Sequence, residues 1–180
     1  IGNYDANDSF DADIRNNVIY GCRNMGYVSG ASRRVRVNYV GNYGILGDAS
    51  RSEDLFRGNE DSNVQIFQQG NRVDTNRNGR FDGRDLGWRM FGDEYRAIDE
   101  PTDLTPVTTE SAEAALERVL NEAGARPWSR DRTDLRVVED VRAGTGALID
   151  SQSDVGGWGE LSPGRVIVDE DGDGMGDDWE

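Results

Sequence analysis

Two 12-residue stretches of this chain place oxygen-bearing side chains at the spacing that a calcium ion requires. Residues 74–85 read DTNRNGRFDGRD, and residues 169–180 read DEDGDGMGDDWE. In the first, Asp74, Asn76 and Asn78 fall at positions 1, 3 and 5. Arg80 offers its backbone carbonyl at position 7, and Asp82 and Asp85 fall at 9 and 12. In the second, the same positions hold Asp169, Asp171, Asp173, Met175 (again through its carbonyl), Asp177 and Glu180. Gly79 and Gly174 stand at position 6, where such a loop turns sharply. Calcium takes about six to eight hard oxygens, and acids alternating about a central Gly meet that demand. Mg2+ fits less well, because it keeps waters in a small octahedral cage. The bland alternative is a pair of solvated acidic segments. The first loop carries two Asn and the shorter Asp at its last position, so it is expected to bind more weakly than the tail. Neither loop has long amphipathic helices on both sides. Structural Ca2+ staples are therefore expected, rather than a paired sensor EF-hand.

Composition narrows the rest of the chemistry. The 180 residues are enough for one domain with a sizeable core. There is no His, which excludes a His-based acid, triad or metal site, and the single Cys excludes an internal disulfide or multi-Cys zinc site. Asp and Glu number 35 against 20 basic residues, all of them Arg, for a net charge of -15. Such a surface repels nucleic-acid phosphates. No apolar run is long enough to insert in a membrane. Two origins fit the charge: a halophilic, salt-adapted surface, or an Arg-favouring high-GC genome with many acids committed to calcium.

The elements that must position these loops are short strands. Residues 34–43 alternate apolar and polar through Val35, Val37 and Tyr39. Residues 11–20 and 63–67 offer further strands. Ile14 and Val35 lie 21 positions apart, as do Asn17 and Asn38, which suggests a repeat of about 20–30 residues and a parallel β-helix or other solenoid. An ordinary antiparallel β domain is the alternative. Asn at a recurring corner would hydrogen-bond along such a stack. A Pro-containing linker over 98–107 leads to a helix with Thr109 as N-cap, a face of Ala112, Ala115, Leu116, Val119 and Ala123, and Gly124 as stop. A second short helix is expected over 133–142. Trp88, Trp128 and Trp158 are expected to be packing anchors. The domain reading is coils over 1–97, a linker, helix and irregular wrap over 98–165, and an acidic calcium-binding tail over 166–180.

Several stretches together resemble the carboxy-terminal part of pectate-lyase-like polysaccharide lyases. They are DIRNNVIY at 13–20, RVNYVGNY at 36–43, TTESAEAAL at 108–116, VVEDVRAGTG at 137–146, DSQSDVGGW at 150–158 and the DGDGM of the tail. Order and spacing carry the resemblance across most of 11–180. It implies an all-β, right-handed parallel β-helix, here its C-terminal coils, with a peripheral helical and irregular wrap. It also implies a secreted, extracellular or cell-surface protein that cleaves acidic pectin-like polysaccharide by β-elimination. In that family Ca2+ bridges the uronate carboxylate to protein acids, and an Arg takes the C5 proton. The family's Arg segment lies shortly before the stretch matching Ile14–Tyr20. Here that place reads IGNYDANDSF, with neither Arg nor Pro. The resemblance therefore implies upstream β-helix coils, or another protein chain that completes the solenoid, and it assigns no catalytic residue to this sequence. Arg33 and Arg34 lie nearby but read more simply as surface arginines. An enzymatically silent carbohydrate-binding β-helix and a surface or filament assembly subunit remain open readings. The charge itself is testable. Added monovalent salt should raise the Tm even with calcium saturating, as screening relieves self-repulsion. A Tm that stays flat from low to molar salt would refute the salt-adapted reading.

Overall fold

Hydrophobic alternation organises the chain in the computed structural model, which describes residues 9–23, 25–28, 33–50, 55, 63–93, 95–160, 164 and 168–179. Three six-residue strands, β1 (Phe10–Arg15), β3 (Val35–Val40) and β5 (Val64–Gln69), are each followed by a three-residue strand. These are β2 (Val18–Tyr20), β4 (Tyr43–Ile45) and β6 (Arg72–Asp74), and a two-residue β7 (Arg96–Ala97) comes later. All pairings between these strands are parallel, in the orders β1-β3-β5-β7 and β2-β4-β6. The chain thus alternates between two parallel sheets and returns to each one rung further along. This is an arrangement of the β-helix type, and it replaces the antiparallel alternative.

Pairing in parallel register stacks like side chains on like. Phe10, Val35 and Val64 form one column, and Ala12, Val37, Ile66 and Ala97 form the next. Val35, Val37, Tyr39, Val64 and Ile66 are fully buried. Burying such aliphatic side chains contributes about 1.5–3 kcal/mol each. The alternate residues face outwards, where Arg36 binds Asp11 through two hydrogen bonds of 3.0 and 2.6 Å.

Two residues separate the long strand from the short one in every coil: Asn16-Asn17, Gly41-Asn42 and Gly70-Asn71. The first is left-handed each time, with φ of 53°, 63° and 63°. Asn and Gly are the residue types that adopt this conformation most readily. At Gly41 a Cβ would also lie 2.7 Å from both Asn16 Nδ2 and the Glu110 carbonyl oxygen. The second residue is always Asn, and these three form a ladder. The Asn17 backbone N–H and Nδ2 donate to Asn42 Oδ1 at 3.0 and 2.9 Å, and those of Asn42 donate to Asn71 Oδ1 at 3.0 and 3.1 Å. The repeat of about 20–30 residues holds, but the 21-residue alignments that suggested it are corrected here. Asn17 stacks on Asn42, 25 residues on, and Asn42 on Asn71, 29 residues on. Ile14 accordingly pairs with Tyr39, not Val35.

Asn38, one of the residues in the mistaken pairing, has another task. It donates to the Thr102 carbonyl at 2.9 Å and accepts from the Thr102 N–H at 2.8 Å. Asn16 makes the same two-way contact with Glu110, at 2.9 Å each way. These asparagines fasten the Pro-containing segment 98–110 to the coils and deliver it to helix α1 (Ala112–Glu122). The N-cap of α1 is Ser111, two residues beyond the expected Thr109; its side chain accepts from the Ala114 N–H. Helix α2 (Arg132–Ala143) is capped by Asp131 and ends at left-handed Gly144. Ala112, Leu116 and Leu120 of α1 and Val141 of α2 pack with Tyr43 and Ile45 of β4. Trp88 stacks on Phe91 at 5.0 Å beside the coil core. Trp128 and Trp158, expected as anchors, are instead 84% and 81% exposed.

By internal contacts the chain divides into two units, Ile1–Leu148 and Ile149–Glu180. The second contains a short turn, Gln152–Val155, with a reciprocal cap between Ser151 and Asp154, and the acidic tail. Among the described residues, no helix is long and apolar enough to cross a membrane.

The ladder makes the first structural prediction. Asn42→Ala leaves polar groups of Asn17, Asn71, Ile14 and Val40 without this partner. It should cost about 3 kcal/mol in chemical denaturation, at the upper end for unsatisfied buried groups. A loss below about 1 kcal/mol would show that the ladder does not set coil stability.

Candidate metal loops

The 74–85 loop grows directly out of the last coil. Asp74 is the final residue of β6, pairs with Ile45, and is only 2% exposed. Val73 and Arg84 exchange backbone hydrogen bonds of 3.0 and 2.9 Å, closing the loop at its base. Within it, each polar side chain at positions 1, 3 and 5 accepts the backbone N–H two residues on. Asn76 N–H donates to Asp74 Oδ1 (3.4 Å), Asn78 N–H to Asn76 Oδ1 (3.1 Å), and Arg80 N–H to Asn78 Oδ1 (2.8 Å). Left-handed Arg77 and Gly79, φ 54° and 70°, provide the turns. The Nδ2 groups of Asn76 and Asn78 donate to the two oxygens of Asp82 at 2.8 and 3.1 Å. The Asp82 N–H in turn reaches Asp74 Oδ2 at 3.2 Å. Asp85 directs Oδ1 to the Gly87 N–H at 2.7 Å.

The two acids near the loop centre titrate in opposite directions. Hydrogen bonds from Asn78 and Asn76 hold Asp82 below the usual carboxylate range, helped by the charges of Arg84 and Arg80. Burial pushes Asp74 up, opposed by the backbone N–H groups of Asp82 and Asn76. Asp74 ionised in the fold therefore carries a penalty. The penalty is absent where the group is protonated in both states; it grows as pH rises past the unfolded-state pKa and is complete above the raised folded-state pKa. A cation beside Asp74 reverses its sign. The donor set fits a hard cation, since each Asn carbonyl oxygen keeps a second lone pair after accepting one N–H.

The tail loop is built from the same turns but is exposed. Asp169 Oδ1 accepts from the N–H groups of Gly172 and Asp173 at 2.7 and 3.2 Å, and Oδ2 from Gly174 at 3.0 Å. Met175 N–H donates to Asp173 Oδ1 at 2.8 Å. Asp177 joins the ends of the loop: its N–H donates to the Val168 carbonyl at 2.9 Å, and its Oδ1 accepts from Glu170 N–H at 3.0 Å. The structure brings Asp169, Asp171 and Asp173 together, with one carboxylate oxygen from each within 4.8 Å of the others. Three like charges at that spacing repel unless a cation lies between them. Among the described residues this is the single such group of acidic or Cys ligands. Asp85 at position 12 of the first loop is not gathered into one, and Glu180 lies outside the described residues.

Nothing in the spacing of residues announced the burial of Asp74. That follows from its place at the end of a strand whose neighbour in the preceding coil is a buried Ile. The Ile1–Asp8 segment, where the family resemblance looks for an Arg, also lies outside the described residues.

Comparison with known proteins adds a lineage to this geometry. Over 176 residues, 93% of the chain, it is 35% identical to a protein of Aspergillus flavus described as probable pectate lyase C. A protein of the same description from Aspergillus oryzae gives the same figures. One from Emericella nidulans is 30% identical over 186 residues. The chain is homologous to part of these fungal pectate lyase C proteins. It spans about 41% of the length of the first two and 40% of the third. No family model matches the chain, and no solved structure matches it significantly.

Ion binding to the folded state alone raises apparent stability. Calcium should therefore raise the Tm relative to a chelator, and Asp173→Ala should remove part of that rise. Asp74→Asn separates the buried loop from the tail. In chelator its Tm should be no lower than that of the parent, because a penalised charge is gone; in calcium it should be lower. Identical melting with and without calcium, together with no bound metal by native mass spectrometry, would refute both sites.

Proposed function

We propose that this chain forms the C-terminal coils of a right-handed parallel β-helix in an extracellular, calcium-stabilised protein of the pectate-lyase type. That protein cleaves acidic, pectin-like polysaccharide by β-elimination. The observation that carries the reading is the 35% identity to probable pectate lyase C, in a chain whose strands stack as parallel coils. Ca2+ is held at 74–85 and 169–180 as a structural ion.

The proton-abstracting group belongs to coils outside this chain. The candidates within it are poorly suited. Arg15 Nε lies 2.8 Å from Asp13, and Arg34 lies 3.6 Å from Asp11. Hydrogen bonding to Asp11 holds the Arg36 proton more firmly than usual. A carboxylate beside a guanidinium stabilises its charged form, the opposite of what a base needs. A second reading, non-catalytic carbohydrate binding, draws on the exposure of Trp128 and Trp158, each available to stack on a sugar face.

Two experiments separate these readings. The 1–180 chain alone, with polygalacturonate, calcium and a salt series, should give no ultraviolet-absorbing unsaturated product. Robust calcium-dependent product would overturn this and make Arg15, Arg33 and Arg34 the residues to replace. In the second, 1–180 replaces the homologous stretch of the Aspergillus oryzae protein. Product formation comparable to the parent supports the lyase reading. A folded chimera with no activity beside an active parent would count against it.

A further inference from the structure

Helix α2 has a thin hold on the rest of the fold. Of its 12 residues only Val141 is buried, packed with Tyr43 and Ile45 of β4 and with α1. Beyond Val141 the helix stops at left-handed Gly144, φ 67°, whose backbone lies against the 74–85 loop. A Cβ on Gly144 would lie 3.0 Å from Gly79 Cα, and a Cβ on Gly79 would lie 3.1 Å from the Ala143 carbonyl oxygen. Gly79 holds position 6 of the loop. Its lack of a side chain therefore serves two ends: the turn of the loop, φ 70°, and the close approach of α2. Asp74, Asn78 and Gly79 of the loop and Val141 and Gly144 at the end of α2 line one gap of about 10 Å3, at the limit for a single water.

Two backbones packed with no side chain between them move together, because neither has a rotamer with which to absorb a shift. The loop is tied to the coils on its other sides. The Gly83 N–H donates to Tyr43 Oη at 2.7 Å, and Arg77 donates to the Ser50 carbonyl at 3.2 Å. The shape of 74–85 therefore bears on α2 from a fixed base. That shape depends on charge: Asp74 and Asp82 repel each other within the loop, and a cation bound to both removes the repulsion. The last carbonyls of α2 carry the negative end of its dipole, so the helix end also favours positive charge in the loop. We propose that the Gly79–Gly144 contact is a latch: a cation in the 74–85 loop fixes the C-terminal turn of α2 on the coils, and loss of the cation frees it. The inference rests on the reading of 74–85 as a cation loop.

Such coupling is reciprocal: docked α2 raises calcium affinity by the factor by which calcium favours docking. The test is hydrogen exchange read by mass spectrometry, with calcium and with a chelator, in an Asp173→Ala background that silences the tail. A thinly anchored helix exchanges through local opening, and a ligand slows that exchange only where opening weakens its grip. In chelator, residues 139–146 should exchange faster than β3. Calcium should slow them by at least about 5-fold, the lower end of typical coupling. Gly144→Ala adds a methyl group to the contact, and Val141→Ser loosens α2 at its one buried residue; each should weaken calcium binding in calorimetry and remove the slowing. If calcium binds the loop but exchange over 139–146 does not change, the inference is overturned and the cation loop stands. If 139–146 exchanges as slowly as β3 in chelator, α2 opens only with the whole fold, and the inference is likewise overturned. Variants that keep both the affinity and the slowing would overturn it as well. If no calcium binds at the loop, the loop reading fails, and the inference with it.

Discussion

Each coil turns its corner through a left-handed residue followed by an asparagine, and the placement of everything else follows from that pair. The left-handed residue swings the chain from the long strand to the short one within two residues. The asparagine then bonds to the coil on either side, so that neighbouring coils cannot slip without breaking its contacts. A slip of one residue would reverse every side chain, exposing Val35, Val37 and Val64 and burying Arg36. The ladder and the apolar columns thus specify the same register. The ladder acts through directed hydrogen bonds at the corner, the columns through area removed from water along the strands.

That register also decides how the first acidic loop differs from the second. Because β6 sits under β4 in fixed alignment, Asp74 is carried into the layer where Ile45 meets the helices. A carboxylate there has lost much of its hydration, and its charge is held up by two backbone N–H groups and by whatever cation reaches it. Asp169 begins the tail loop by accepting the N–H groups of Gly172, Asp173 and Gly174, in a segment that stays near solvent. One sequence motif therefore yields two electrostatic situations. In the first, the electrostatic burden is desolvation of one carboxylate; in the second, it is mutual repulsion among three acids.

What could be read directly from residues was local. The alternation through Val35, Val37 and Tyr39, the apolar face of α1 and the oxygen spacing of both loops each depend on a few consecutive positions, and each element forms where that pattern lies. The coil period could not be read in the same way. Asn16-Asn17 offers two asparagines side by side, Asn38 offers a third within reach, and the true rungs are unequally spaced at 25 and 29 residues. The repeat length of about 20–30 residues was legible, but the 21-residue alignment matched Asn17 with an asparagine that instead fastens the 98–110 segment. The Trp residues failed for a related reason. Size and apolarity suggest burial, but Trp128 lies in a short turn ahead of α2, and neither it nor Trp158 is covered in the fold.

The charge of -15 acquires structure once the pairs are placed. On the outer face of β1 and β3, arginines are committed to acids: Arg15 to Asp13, and Arg34 and Arg36 to Asp11. Exposed pairs of this kind add little stability, about 0–1 kcal/mol each. Their larger effect is to keep those guanidiniums occupied. Arg84 and Arg89 instead line a cavity together with Asp74 and Asp82, and the charge of Arg84 helps to hold Asp82 below the usual carboxylate range.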